Sequence, residues 1–299
     1  MTIGSEDDLD ARLRVAAARD ADMQPIDWSV LPAGVERDEF AAPSGALSRI
    51  ALGPVDGERV VLMPGMTGSK EDFVRVMPLL AASGFRVESF DMAGQYESCA
   101  AGPAPGAHYT MALFEDDLRA VLAAGAPAHL LGYSFAGTVA AAVAGTHPEL
   151  VRSLTLLSTT PVAGQALRAF KVLGPISGVL PPPALGRLFV WVLRHNLHRA
   201  PLDRAVFVTT RFDKTRVDSV VDIFGLMKHT PDVAPAVRAG GIPALVVAGR
   251  HDVWPLDAHR AFAERLGGRL VILDAGHSPC ETAPHQLAEA MTDFFAAGR

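Results

Sequence analysis

Cysteine is nearly missing from this 299-residue chain, which holds only Cys99 and Cys280. Two thiols cannot build a disulfide framework, and their placement lacks metal-ligand spacing. The expectation is a pair of unpaired thiols in a reducing compartment. Cationic blocks are missing too. The formal charge is −6, from 27 Lys and Arg against 33 Asp and Glu, with no basic run. That balance argues against nucleic acid and anionic membrane surfaces as partners. The start, MTIGSEDDLDARLR, is acidic and has no apolar h-region, so no secretory signal is expected. Internal repeats and low-complexity tracts are likewise missing.

One stretch comes close to a membrane span. Between Ala120 and Thr146 there is no Asp, Glu, Lys or Arg, a length that could cross a bilayer. It is rich in Ala and Gly, and Pro127, His129, Tyr133 and Ser134 interrupt it. We read it as helix end, strand, tight turn and helix, with no transmembrane segment. A soluble, cytoplasmic protein follows as the expectation. With 49% hydrophobic and 20% charged residues the composition is globular. The length suits one large domain, or a core carrying an insertion.

What the chain does have is alternation. Apolar runs at Leu47–Leu52, Arg59–Met63, Phe85–Phe90, His129–Tyr133, Val151–Leu157, Ala244–Ala248 and Leu270–Leu273 predict strands. Helical spacing predicts helices over Glu71–Ala82, Met111–Ala123, Phe135–Thr146, Ala258–Leu266 and Pro284–Ala296. Apolar strands alternating with helices imply an α/β fold, a mostly parallel central sheet with helices on both faces. Two segments fall outside the rhythm. Residues 1–45 precede the first predicted strand and hold an amphipathic pattern around Leu9–Ala18, read as an N-terminal arm. Residues 161–240, with Pro181-Pro182-Pro183 and Leu188–Leu193, read as a helical cap inserted between core segments 46–160 and 241–299. An insertion there would sit above the C-terminal edge of the sheet, where open α/β sheets place ligands.

The chemistry gathers at three predicted strand ends. Gly132-Tyr133-Ser134-Phe135-Ala136-Gly137 has the form G-x-S-x-A-G and runs from a strand into a helix. A serine on so sharp a turn needs small neighbours on both sides. Its hydroxyl is a poor nucleophile at neutral pH and requires a base, itself oriented by an acid. The chain order that goes with this elbow is Ser, acid, His. Ala244–Gly249 delivers Asp252 just past its end, and Leu270–Leu273 delivers His277. Asp91 and Asp274 are rival acids, but Asp91 precedes Ser134 and Asp274 lies close to His277 along the chain. His195 and His198, three apart, could ligate a metal, yet no carboxylate or Cys completes a site; no metal is expected. His251 reads as a loop histidine.

These motifs resemble the α/β-hydrolase family, over roughly residues 45–297. Gly132–Gly137 resembles the nucleophile elbow, Gly249-Arg250-His251-Asp252 the G-x-x-D acid loop, and Ala275-Gly276-His277-Ser278-Pro279 the histidine loop. Met63-Pro64-Gly65-Met66 resembles the oxyanion loop, with Pro64-Gly65 where the family usually carries His-Gly. Asp91–Ser98 resembles the D-x-x-G-x-G-x-S loop, with Tyr96 in place of its second glycine. The resemblance implies a Ser134–His277–Asp252 triad, with the backbone N–H groups of Met66 and Phe135 as oxyanion donors, or Gly65 in place of Met66. It implies no cofactor, and a small-molecule substrate with an apolar portion held near Gly65, Tyr133, Phe189 and Trp191. Hydrolysis of a carboxylic ester through an acyl-enzyme is the expected reaction. A carbon–carbon bond hydrolase and a thioesterase or acyltransferase would use the same triad. A non-catalytic ligand-binding module on the same fold is the alternative of another class.

Overall fold

Strand β5 (Ala128–Tyr133) is buried at every position, as its unbroken apolar run requires, and it forms the middle of the sheet. The computed structural model describes residues 6–165, 184, 191 and 202–298. Within these, the eight-stranded sheet has the order β1-β2-β4-β3-β5-β6-β7-β8. The other strands are β1 (Glu36–Ala42), β2 (Gly45–Leu52), β3 (Glu58–Met63), β4 (Phe85–Phe90), β6 (Val151–Leu157), β7 (Ala244–Gly249) and β8 (Arg269–Leu273). From β4 across to β8 all pairings are parallel, while β1–β2 and β2–β4 are antiparallel. The α/β architecture read from the alternation is the architecture observed.

Successive side chains of a strand leave opposite faces of the sheet, and both faces are apolar here. Val61 and Met63 of β3, Leu130 of β5 and Val246 of β7 point to one core. Val60, Leu62, Leu131, Tyr133, Leu245 and Val247 point to the other. The first core is closed by α3 (Met111–Ala123), α4 (Phe135–Thr146) and α8 (Leu256–Leu266). The second is closed by α2 (Met77–Ala82) and α10 (Pro284–Ala297).

Sheet order places the site. The chain steps from β3 out to β4, then returns to β5 on β3's other side. The C-terminal ends of β3 and β5 therefore lie side by side with no crossover between them, in the register Met63 opposite Gly132. Such a reversal leaves a crevice at the carboxyl edge.

Three sequence expectations need correction. Residues 1–45 do not wholly precede the first strand, because β1 lies within them. Its sequence, ERDEFAA, shows little apolar alternation because β1 is an edge strand, mostly exposed and paired only with β2. The predicted helix Glu71–Ala82 is two pieces, a 3₁₀ turn at Lys70–Phe73 and then α2, which restarts with Pro78 in its first turn. A proline is tolerated there and not further inside. Finally, α1 (Glu6–Ala21) is longer than its apolar spacing suggested and is docked, with Leu9 and Ala16 buried.

Downstream of residue 201 the described part of the 161–240 segment is helical: α5 (Leu202–Lys214), α6 (Val217–Met227) and α7 (Ala234–Ala239). α7 packs against α4 and α8, so closely that a Cβ on Gly145 would lie 2.7 Å from Ala236 Cβ.

The arm is tied to the C-terminal helix by one carboxylate. Asp20 accepts from the backbone N–H and ring Nδ1 of His285, and from the backbone and side-chain N–H groups of Gln286, at 2.7–3.1 Å. Two of these donors belong to the first turn of α10, which has no intrahelical acceptors of its own. Asp20→Ala should cost at least about 1–3 kcal/mol, the penalty for stranding buried donors. In a chain of this size that lowers Tm by roughly 2–5 °C. A melting curve within a degree of wild type would show that the arm is not anchored here.

Candidate active site

Ser134 links β5 to α4 with φ 54° and ψ −121°, a region that costs a non-glycine residue about 1–3 kcal/mol. Its N–H donates to Leu157 O at 2.8 Å, and its own carbonyl accepts from Gly137 N–H at 3.0 Å. The turn closes because side chains are missing around it. A Cβ on Gly132 would lie 2.6 Å from Ala136 O, and one on Gly137 would lie 1.9 Å from Thr159 Oγ1. The G-x-S-x-A-G pattern is thus a steric requirement of this turn.

Two neighbouring strand ends bring side chains to Ser134. His277 Nε2 lies 3.1 Å from Ser134 Oγ, and His277 Nδ1 lies 2.9 Å from Asp252 Oδ1. The loops carrying Asp252 and His277 are pressed together. Arg250 N–H donates to Leu273 O and His251 N–H to Ala275 O, while a Cβ on Gly249 would strike Gly276 O at 2.0 Å. Asp252 is fully buried and His277 is a quarter exposed. Burial by itself would raise the Asp252 carboxyl. The imidazoles of His259 and His277 and the Ser158 hydroxyl outweigh it and hold the group well below the usual carboxylate range. His259, also fully buried, stands with Nε2 3.5 Å from Asp252 Oδ2, and Trp254 N–H donates to Oδ1 at 3.2 Å. Neither residue carries a sequence signal, since both read as ordinary positions after β7.

The loop after β3 reaches the same place. A Cβ on Gly65 would lie 3.1 Å from both Ser134 Cβ and Tyr133 O, a tight fit that would push the loop a few tenths of an ångström away from Ser134. Met66 follows, half-buried against the core. Phe135 is the first residue of α4, and its N–H has no intrahelical acceptor. Tyr133 is buried, and its hydroxyl shares a 2.7 Å hydrogen bond with Ser278 Oγ. It braces the loop of His277. Trp191 is half exposed, while Phe189, His195 and His198 lie outside the described residues.

Backbone strain is concentrated along this edge. The non-glycine residues with positive φ among those described are Thr67, Tyr96, Ser134 and Ser158, following β3, β4, β5 and β6 respectively. Tyr96, with φ 41°, occupies the position where the resembling motif has glycine, and it adopts a glycine-like conformation.

The rival acids are engaged elsewhere. Asp274 is exposed. Asp91 is fully buried and holds Lys70, accepting from its backbone N–H at 2.7 Å and its Nζ at 3.0 Å. Burial pushes the Asp91 carboxyl up to about 7 against the pull of Lys70, with Glu71 adding to the rise. The same Nζ meets Glu71 at 2.9 Å and Glu97 at 2.6 Å. A second buried cluster joins Asp72 to Arg204 and Arg211 at 2.5 and 2.6 Å, and Arg204 to Glu281 at 2.6 Å. Arg204 also stacks 4.5 Å over Trp28 of the arm. Among the described residues no group of three or more His, Cys, Asp or Glu side chains could hold a metal ion, and no helix is long and apolar enough to cross a membrane.

A sequence model of the alpha/beta hydrolase fold matches residues 58–175. The chain is 30% identical over 130 residues to a human serine hydrolase-like protein, covering 43% of this chain and 63% of that one. It spans 63% and 40% of the two human relatives of that name. It is 28% identical over 260 residues to the pyrethroid hydrolase of Sphingobium wenxiniae, covering 79% of this chain and 86% of that one. Among solved structures, a carboxylesterase of Nitrososphaera gargenis superimposes with a TM-score of 0.68 at 21% identity, covering 87% of this chain and 98% of that one. This last likeness shows the fold alone.

The environment of Asp252 predicts an acid-side loss of stability. A carboxyl held lower in the folded chain than its unfolded value of about 3.9 stabilises the fold above roughly pH 4. That contribution fades as pH falls and both states take up the proton. Asp252→Asn cannot titrate, so the stability difference between wild type and mutant should shrink in the wild type's disfavour below about pH 4. Urea unfolding from pH 6 to pH 2.5 measures it. A pH-independent difference would mean that Asp252 is not held ionised by its neighbours.

Proposed function

We propose that this chain, a member of the α/β-hydrolase fold family, is a serine hydrolase that cleaves a carboxylic ester through an acyl-enzyme. The observation that carries the reading is the hydrogen-bonded series Ser134 Oγ–His277 Nε2, 3.1 Å, and His277 Nδ1–Asp252 Oδ1, 2.9 Å. In it Ser134 attacks the ester carbonyl while His277 takes the hydroxyl proton. Asp252, ionised and buried, fixes the imidazole tautomer and stabilises the imidazolium as it forms. His277 then returns the proton to the leaving alcohol, and water repeats the sequence to release the acid. The N–H groups of Phe135 and Met66 face the developing oxyanion, each worth about 3 kcal/mol. The names of the pyrethroid hydrolase and the carboxylesterase agree with an ester as substrate. In this reading the 161–240 segment is the cap that carries acyl selectivity, with Trp191 as its contact with the apolar portion of the substrate.

Labelling with a fluorophosphonate tests the nucleophile. Wild type should be modified at Ser134, and Ser134→Ala should fold, resist the probe and lose up to about a million-fold in turnover. Ester hydrolysis within tenfold of wild type would sink the assignment. The cap is tested separately with Trp191→Ala on acetyl and octanoyl p-nitrophenyl esters. The ratio of specificity constants should shift by tens-fold, since a methylene is worth only about 1–3 kcal/mol of discrimination. An unchanged ratio in a folded mutant would remove Trp191 from the pocket.

A further inference from the structure

One side chain from outside the loop after β3 holds its Thr67 peptide. Thr67 is β-branched yet has φ 61°, a conformation that such residues take only when their surroundings impose it. Gly68 N–H donates to Gly65 O at 2.9 Å, closing the turn. The Thr67 N–H is left pointing away from that closure, and it donates to Gln95 Oε1 at 3.0 Å. Gln95 is fully buried, and its other end, Nε2, donates to Ser219 Oγ at 2.5 Å on α6. Ser219 is fully buried as well.

The anchor has little slack. Gly94 O accepts from Arg216 N–H at 2.9 Å, and Tyr96 N–H donates to Thr215 Oγ1 at 3.1 Å. A Cβ on Gly94 would lie 2.7 Å from Ser219 Cβ. Residues 94–96 are therefore bonded, one after another, to the junction of α5 and α6. A leucine at position 95 could fill the space, but it would strand the Thr67 N–H in a dry interior.

We propose that Gln95 is a positioning residue: it sets the peptide that follows Met66 through the Thr67 N–H, and it ties that peptide to α6 through Ser219. The orientation of the Met66 N–H is then governed by α6, through Gln95, 28 residues after Thr67, and Ser219, a further 124 residues along the chain. The proposal rests on the reading of Met66 N–H as an oxyanion donor. A donor displaced by a fraction of an ångström still lets substrate bind but stabilises the oxyanion poorly, so the loss should appear in kcat.

The test compares Gln95→Met and Ser219→Ala with wild type on p-nitrophenyl acetate. Alongside it run the affinity for an aryl trifluoromethyl ketone, which forms a tetrahedral adduct with serine, and for the matching unreactive methyl carbinol. Gln95→Met should lower kcat by about 10–100-fold with KM within about threefold. Ketone affinity should fall by a similar factor while carbinol affinity holds. Ser219→Ala removes only a hydroxyl and should show the same signature at about three- to tenfold, even where Gln95→Met does not fold. Equal losses for ketone and carbinol, or unchanged kcat and ketone affinity in either variant, would overturn the proposal. Failure of the wild type to take a fluorophosphonate at Ser134 would instead sink the nucleophile reading, and this inference with it.

Discussion

The arrangement at the carboxyl edge depends on one steric constraint, the turn at Ser134. A fully buried strand must reverse into a helix within one residue, and that residue must accept φ 54°. The turn survives because Gly132, Ala136 and Gly137 leave room for it, and because Ser134 N–H stays bonded to Leu157 O of β6. Once the turn exists, the serine side chain stands above the sheet where β3 also ends. Gly65 approaches it closely because it lacks a Cβ. The strain at Thr67, Tyr96 and Ser158 belongs to the same edge. Each of these residues turns the chain sharply away from a parallel strand, over a surface that the loops crowd.

Strained loops stay in place only when something over-determines them. Here it is ionic. Lys70 and Asp72 follow the β3 loop directly, and both are buried. Lys70 binds the loop to Asp91 and Glu97 after β4, while Asp72 binds it to Arg204 and Arg211 of α5. Arg204 continues to Glu281, four residues beyond His277. The loops of Gly65 and His277 are thus joined through an arginine of the segment that lies between β6 and β7. Removing one partner from such a cluster leaves an uncompensated buried charge, which typically costs about 3–5 kcal/mol. The ions specify geometry more than they add net stability.

Much of this is legible in the sequence, and the divide between what is and what is not has a physical reason. β5, β7 and β8 are apolar runs ending in a polar residue and a tight turn, so Ser134, Asp252 and His277 are visible as strand-end side chains. The edge strand β1 is not visible, because only Phe40 and Ala42 of its residues ERDEFAA pack against the core and the rest are exposed, which leaves no clear period. Ser69-Lys70-Glu71-Asp72 is a polar run with no apolar residue, yet all four residues are buried. Their distant partners come from 21 to 142 residues away, and local pattern carries no trace of such pairing. Gln95 and Ser219 are hidden for the same reason. The one available signal was Tyr96 standing where a glycine is usual, which marks the 94–96 loop as held by outside contacts.

The contrast between two buried aspartates, Asp91 and Asp252, shows why burial alone does not choose the acid. Asp91 and Asp252 both sit just past the ends of parallel strands, away from solvent. Asp91 faces an ammonium and two backbone N–H groups, those of Lys70 and Glu97, so its acceptor sites are taken by donors that fix loops. It also shares its cation with Glu71 and Glu97, and that crowding raises it further. Asp252 instead meets imidazoles, one of them on Ser134, together with a serine hydroxyl and a backbone N–H. A carboxylate bound to a permanent cation gains little when a proton reaches an adjacent imidazole. One bound to neutral donors gains the whole attraction at that moment. The same residue type at equivalent strand ends is therefore structural in one place and suited to respond to charge in the other, and the donors gathered around each set the difference.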